Sequence, residues 1–268
     1  MKYNHKRLFF NNPVRSVVQI LSAISFLVLV ISIWGFAGAH NLCPWGIIEV
    51  PTLMLRLGSD LFFLWGILIG LAGLVSTFVY PRIFCGWVCP LGTLFDFLGN
   101  LGAKLHINAK RIPHRLNEKM RIFSYGVLII IVLATAVKGS LVCQTACPAF
   151  WICAVWKISI PVGTAIILLL WLALSLRVKR GFCRYVCPYG ALLGTFGPIS
   201  HYAIVRNLEV CNNCNLCTFA CPMGIDLTQT LVVKSAHCIG CGDCVKSCPR
   251  NALEWASRKS SADLKLNN

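Results

Sequence analysis

The chain has 268 residues, 57% of them hydrophobic and 13% charged, with 25 Lys and Arg against 9 Asp and Glu for a net charge of +16. A mean hydropathy of +0.70 excludes an ordinary soluble domain and points to a membrane protein. The basic excess comes without a nucleic-acid motif, and neither a G-x-G-x-x-G loop nor a P-loop is present, so nucleic acid and nucleotide cofactors are excluded as partners.

Four apolar stretches approach or match the ~30 Å hydrocarbon core of a bilayer. They are Val17–Phe36, Leu61–Tyr80, Ile122–Val142 and Ile158–Leu176. The first two carry no charge. The third has Lys138 near one end, where a long side chain snorkels to the interface, and the fourth has Pro161 and Gly163 in its first turn. The first is too long for the apolar core of a signal peptide and lacks a small-x-small cleavage site, so it is expected to stay as a helix.

Positive charge alternates between the connections. Lys2, Lys6, Arg7 and Arg15 precede the first stretch, and only Arg56 follows it. Arg82, Lys104, Lys110, Arg111, Arg115, Lys119 and Arg121 follow the second, Lys157 the third, and Arg177, Lys179, Arg180 and Arg184 the fourth. This predicts a multi-pass inner-membrane protein with both termini and the long middle loop in the cytoplasm. The same excess favours anionic membrane lipid.

Cysteines mark each turn of this path. Cys43-Pro44 follows the first stretch, and Cys143, Cys147-Pro148 and Cys153 follow the third, all on the outer side. Disulfides persist there, so these four read as a disulfide set or as a ligand set. On the inner side, Cys85-x3-Cys89-Pro90 follows the second stretch and Cys183-x3-Cys187-Pro188 the fourth, offset by 98 residues (85 to 183). The membrane half, residues 1–204, is therefore expected to be all-α, four transmembrane helices in two parallel repeats (about 17–105 and 122–204) related by an axis along the membrane normal. That symmetry brings Cys85, Cys89, Cys183 and Cys187 to one depth. They are a candidate redox or metal site: a further cluster, copper or another soft metal, a dithiol pair, or small buried residues. Each proline is expected to stop a helix and turn both thiols inward. Gly92, Gly99, Gly102, Gly190, Gly194 and Gly197 suggest closely packed segments rather than free loops.

The last cysteines form two copies of one run. Cys211-x2-Cys214-x2-Cys217-x3-Cys221-Pro222 is repeated as Cys238-x2-Cys241-x2-Cys244-x3-Cys248-Pro249. This is the bacterial two-cluster ferredoxin run, in which the fourth cysteine ligates the other cluster. Cys211, Cys214, Cys217 and Cys248 are expected to hold one 4Fe–4S cluster, and Cys238, Cys241, Cys244 and Cys221 the second. Paired zinc sites fit the x3-Cys-Pro ending poorly. A small cytoplasmic α+β ferredoxin domain over 205–255 and a tail over 256–268 complete the chain.

The remaining polar residues read more plainly. His5, His40, His106, His114, His201 and His237 lie outside or at the edges of the spans, so no haem b is expected. His40 with Glu49, and Asp96 with His106, are candidate proton exchangers at a quinone site, against the plain reading of solvated interfacial groups. Trp45, Trp65, Trp87, Trp151, Trp156 and Tyr80 read as interfacial belt residues.

Four helices, two Cys-x3-Cys-Pro turns and a C-terminal two-cluster run together resemble the NapH family, the membrane ferredoxin component of quinol-oxidising systems, with relatives in methylamine-utilisation clusters. The resemblance covers almost the whole chain, and the outer cysteines depart from its simplest pattern. It implies an electron-transfer subunit of a quinol dehydrogenase or oxidoreductase complex, passing electrons between quinone, or a membrane partner, and iron–sulfur or haem subunits. A copper-reducing membrane ferredoxin of the oxidase-assembly type is also similar. The β-domain that it appends is not expected in Arg250–Asn268, which sets that reading second. A non-catalytic redox sensor is the third reading.

Overall fold

A computed structural model describes residues 12–29, 64–107, 112, 114–138, 162–228 and 231–257. Its first helix, α1 (Pro13–Leu29), has proline in the first position, and the Asn12 side chain accepts the Arg15 amide at 3.3 Å as a cap. The apolar helices α2 (Leu64–Val79), α5 (His114–Lys138) and α6 (Val162–Arg177) fall on the other expected stretches. The third stretch begins earlier than expected. Residues read as charged loop form two further turns of α5, because Asn117 and Arg121 are buried there and bond the carbonyls of Gly224 and Met223.

After α2 come a short helix α3 (Ile83–Trp87) and a longer α4 (Pro90–Lys104). After α6 come their counterparts α7 (Gly181–Tyr185) and α8 (Pro188–Phe196). The local backbone repeats closely. Arg82 (φ 42°) and Arg180 (φ 54°) both enter the short helix in the left-handed conformation. Cys89 and Cys187 donate their amides to Phe84 and Phe182 at 2.9 and 3.0 Å. The two prolines do not end helices, as expected from their missing donor; they start α4 and α8, where an N–H has no helical partner anyway. Helix α4 packs on α1 and α6, and α8 packs on α5 and α2, so each half lends the helix after its Cys-x3-Cys-Pro turn to the other.

The outward faces of these helices are apolar. Ile20, Leu21 and Ile24 on α1, Leu71 and Val75 on α2, Ile122, Ile130 and Leu133 on α5, and Leu169 and Leu170 on α6 are all exposed. Among the described residues one helical segment, Leu116–Val137, is long and apolar enough to cross a membrane.

The C-terminal part is a two-stranded antiparallel sheet, β1 (Tyr202–Arg206) with β2 (Leu253–Ser257), and two short helices, α9 (Leu216–Ala220) and α10 (Asp243–Ser247). Its own repeat shows in the backbone. Asn213, Asn215 and Gly224 have positive φ, and so do Gly240, Gly242 and Asn251, each 27 residues further on (213 to 240).

This part is fastened to the helices. Trp87 Nε1 donates to Gly240 O at 2.9 Å, and a Cβ on Gly86 would collide with Ile239 O. Tyr80 stacks on Tyr202 at 4.8 Å and meets Trp255 edge-on at 5.5 Å. Trp87 and Tyr80, expected in an interfacial belt, are docking residues instead.

Candidate functional site

Two cavities lie in the C-terminal part, and their walls divide the eight cysteines. Cys211, Cys214, Cys217 and Cys248 line a cavity of about 370 Å³, counting the part open to solvent. Cys221, Cys238, Cys241 and Cys244 line another of about 330 Å³. Each therefore takes three cysteines from one run and the fourth from the other. The exchange arises where Cys221 and Cys248 end α9 and α10: both turn into extended backbone (ψ 113°), and α9 and α10 pack on each other.

The two surroundings differ. Cys214 is exposed, and Asn212, Asn213 and Asn215 rim its cavity. Cys238, Cys241 and Cys244 are buried among Ile204, Met223, Ile225, Leu227, Val233 and Ile239. Burial pushes the Cys238 thiol up to about 11 and raises Cys241 and Cys244 well above their ordinary value. Such thiols are inert by themselves and become thiolates on binding a metal. Among the described residues no three His, Cys, Asp or Glu side chains stand close enough to share one metal ion. Four soft donors around a larger cavity fit an iron–sulfur cluster.

Cys85, Cys89, Cys183 and Cys187 are near one another, and Cys85 is near this buried cradle. Cys85 packs against the core of the buried cradle and also against Tyr189 and Leu193, on which Cys187 packs as well. Burial pushes the Cys85 thiol up to about 12, and Cys89 and Cys187 add to the shift. Cys183 is raised by burial too, with Cys187, Cys89 and Cys85 as neighbours. Gly190 donates its amide to Cys187 Sγ at 3.4 Å.

Buried arginines surround these thiols. Arg180 holds Asp96 through Nε and Nη2, both at 2.6 Å, and reaches Cys85 O with Nη1 at 2.8 Å. Arg15 bonds Asp96 at 2.5 Å, Asp243 at 2.7 Å and Gly86 O at 2.9 Å. Gln19 adds a bond to Asp96 at 3.0 Å. Burial alone would raise the Asp96 carboxyl; Arg180 and Arg15 outweigh it and hold it below its ordinary value. Asp96 is thus the anion of an ion network rather than a proton exchanger facing His106. Burial, with Arg82, Arg121 and Arg184 nearby, pushes the His237 imidazole down to about 3 and keeps it neutral.

Sequence reasoning missed Arg82, Arg180 and the structural use of Asp96. A signal was present: the repeat around the Cys-x3-Cys-Pro turns extends three residues upstream of each first cysteine, to an arginine in both copies. Cys43, Cys143, Cys147, Cys153, His40 and Glu49 lie outside the described residues.

Comparison with known proteins agrees with these cradles. Residues 62–108, 120–155 and 160–205 match the family described as a 4Fe-4S binding domain, and residues 203–249 match the 4Fe-4S dicluster domain. The first and third windows contain the two inner Cys-x3-Cys-Pro turns and begin 98 residues apart (62 to 160). An uncharacterized protein of Methanocaldococcus jannaschii is 34% identical over 89% of this chain and 96% of its own length. The ferredoxin-type protein NapH of Haemophilus influenzae is 30% identical over 78% of this chain and 71% of its own. The putative electron transport protein YccM of Escherichia coli is 30% identical over 72% of this chain, which spans 56% of that relative's length. No solved structure matches the chain.

Proposed function

Since this chain belongs to the NapH-type family of iron–sulfur ferredoxin proteins, we propose that it is a membrane-bound electron-transfer subunit with two 4Fe–4S clusters, passing electrons between quinone or a membrane partner and its C-terminal clusters within a redox complex. The observation that carries this reading is the division of the eight cysteines between two cavities, three from one run and one from the other in each. Cys211, Cys214, Cys217 and Cys248 hold the outer cluster, and Cys238, Cys241, Cys244 and Cys221 the inner one. Clusters bound there supply reversible one-electron transfer.

The chain's own residues set the surroundings. Ile204, Met223, Ile225, Leu227, Val233 and Ile239 exclude water from the inner cradle. The Asn212–Asn215 rim leaves the outer cradle open to a soluble redox partner. Trp87, Gly86 and Tyr80 hold the inner cradle against α3, close to Cys85. Cys85, Cys89, Cys183 and Cys187 form a redox site on the membrane side of that contact; as for the C-terminal cysteines, a further cluster suits them better than a single metal ion. The exposed apolar faces of α1, α2, α5 and α6 support four membrane-spanning helices in two parallel repeats. The charge alternation then sets both termini in the cytoplasm. Domain limits near 204 and 255 follow from the same reading.

The test is iron and sulfide analysis with EPR on purified protein, for the wild type and for Cys214→Ser and Cys241→Ser. Two clusters in the C-terminal part, each lost with its own variant, are expected; unchanged iron in both variants sinks the assignment. Normal quinone-linked reduction of the C-terminal clusters in all four Cys→Ala variants at 85, 89, 183 and 187, with no metal lost, removes the membrane-side relay.

A further inference from the structure

The two halves of the membrane part repeat down to the arginine before each short helix, and one difference between them is charged. Arg180 meets the Asp96 carboxylate. The residue 98 positions beyond Asp96, where the repeat calls for the partner of Arg82, is Gly194. The geometry matches this correspondence: a Cβ on Gly194 would collide with Arg82 Nη2, just as Arg180 Nη2 meets the Asp96 carboxylate at 2.6 Å. Half of the repeat therefore keeps the cation and lacks the anion.

Arg82 is among the most buried side chains of the chain, 2% exposed, and its Nε and Nη2 have no hydrogen-bond partner. No ion pair of Arg82 occurs among the described residues. Its electrostatic neighbours are the sulfurs of Cys85, Cys187 and Cys238 and the hydroxyl of Tyr125. An unpaired buried guanidinium is among the most costly groups a fold can keep. Cys238 belongs to the inner cradle, and Cys85 packs against its core.

We propose that Arg82 is the charge-compensating residue of the inner cradle, facing the negative charge of a thiolate-ligated cluster at Cys221, Cys238, Cys241 and Cys244 and making that cluster easier to reduce. The proposal rests on the two-cluster reading above. Reduction adds one electron from the donor and no proton, so cluster and thiolates together gain one negative charge. Burial opposes that gain, because a low-dielectric site disfavours the more highly charged form. A fixed, buried, positive neighbour opposes the burial. Arg82 is a positioning residue for charge, set at the left-handed entrance to α3 with its guanidinium against Gly194.

The experiment is an EPR-monitored redox titration with dithionite as the reductant, on Arg82→Gln and Arg82→Lys in the full chain, with iron and sulfide counted for each. The Gln variant is expected to lower the reduced-to-oxidised ratio of the inner cluster about tenfold at fixed potential, a fall of about 59 mV for a one-electron couple. The Lys variant is expected to restore the wild-type ratio within about threefold, which a purely packing role would not predict. A fully loaded Gln variant with an unchanged midpoint overturns the proposal. Should the Gln variant not accumulate, the wild type decides: the inner cluster must titrate at no lower potential than the exposed one, and a lower midpoint overturns the proposal equally. Protein that binds no cluster iron sinks the two-cluster reading itself, and with it the role of Arg82.

Discussion

Cys214 stands in solvent and Cys241 in a closed core, although the 27-residue repeat (214 to 241) makes them equivalents. Cysteine spacing therefore fixes which thiols can share a cavity, and the neighbours fix how that cavity meets water. The left-handed positions show the division. In the open copy they are Asn213 and Asn215, polar residues that tolerate positive φ; in the buried copy they are Gly240 and Gly242. At Gly240 a side chain would be strained twice over, by φ +60° and by Pro81 O 3.0 Å from where its Cβ would be. One half of the ferredoxin part opens to solvent, and the other is closed against the helices.

The sharpest way to break this comparison is to remove one thiol from each cradle. Cys241→Ser puts an unsatisfied hydroxyl into the core and loses the group that fills it. It is expected to lower the yield of folded protein severalfold, a loss of about 3–5 kcal/mol, and the protein that is recovered should lack the inner cluster. Cys214→Ser should accumulate normally with roughly half the cluster iron of this part. Equal yields from membranes, read by immunoblot and iron content, would erase the contrast.

The ion network comes next. Asp96→Asn leaves the buried guanidinium of Arg180 without its carboxylate and is expected to cost about 3–5 kcal/mol, seen as a lower thermal midpoint. Its effect should fall on the inner cradle, because Arg15 links Asp96 to Asp243 of that copy, while the equivalent residue of the outer copy is Leu216. Asp96 is held below its ordinary pKa of 3.8, so its contribution is complete above that pH. It disappears as pH falls through the lower folded value. The wild type should therefore lose this stability only in stronger acid, and the Asn variant should show none of that acid-dependent loss.

A smaller effect is expected at the docking surface. Gly86→Ala places a methyl against Ile239 O and should cost about 1–3 kcal/mol. Limited proteolysis would show it as faster release of the C-terminal part, with the outer cluster intact. Smallest is Trp87→Phe, which loses one bond to Gly240 O and should cost about 1 kcal/mol, within reach of thermal melting.

Cysteine spacing and the apolar stretches made the ferredoxin run, the Cys-x3-Cys-Pro turns and their repeat legible. Elements governed by contact across the chain were not. Asn117 and Arg121 read as loop because their partners, the carbonyls of Gly224 and Met223, lie about a hundred residues away; with those partners the helix continues. Trp87 and Tyr80 carry the composition of a membrane belt, and only the arrival of Gly240, Tyr202 and Trp255 turns them into fasteners. Asp96 has the residue type of a proton carrier, and its two arginines come from other segments.

The bond between Arg15 and Asp243 joins residues 228 positions apart, and that between Asn12 and Lys246 residues 234 apart. Helix α1 thus waits for a turn that is made 228 residues later. At roughly 5–20 residues per second the wait lasts on the order of tens of seconds, during which α1 lacks its final ties. Contacts of such long sequence separation form late and slowly. Extra sequence at the end of the chain therefore leaves the early helix to form as before, whereas a stop a few codons upstream of Asp243 undoes the work of the beginning.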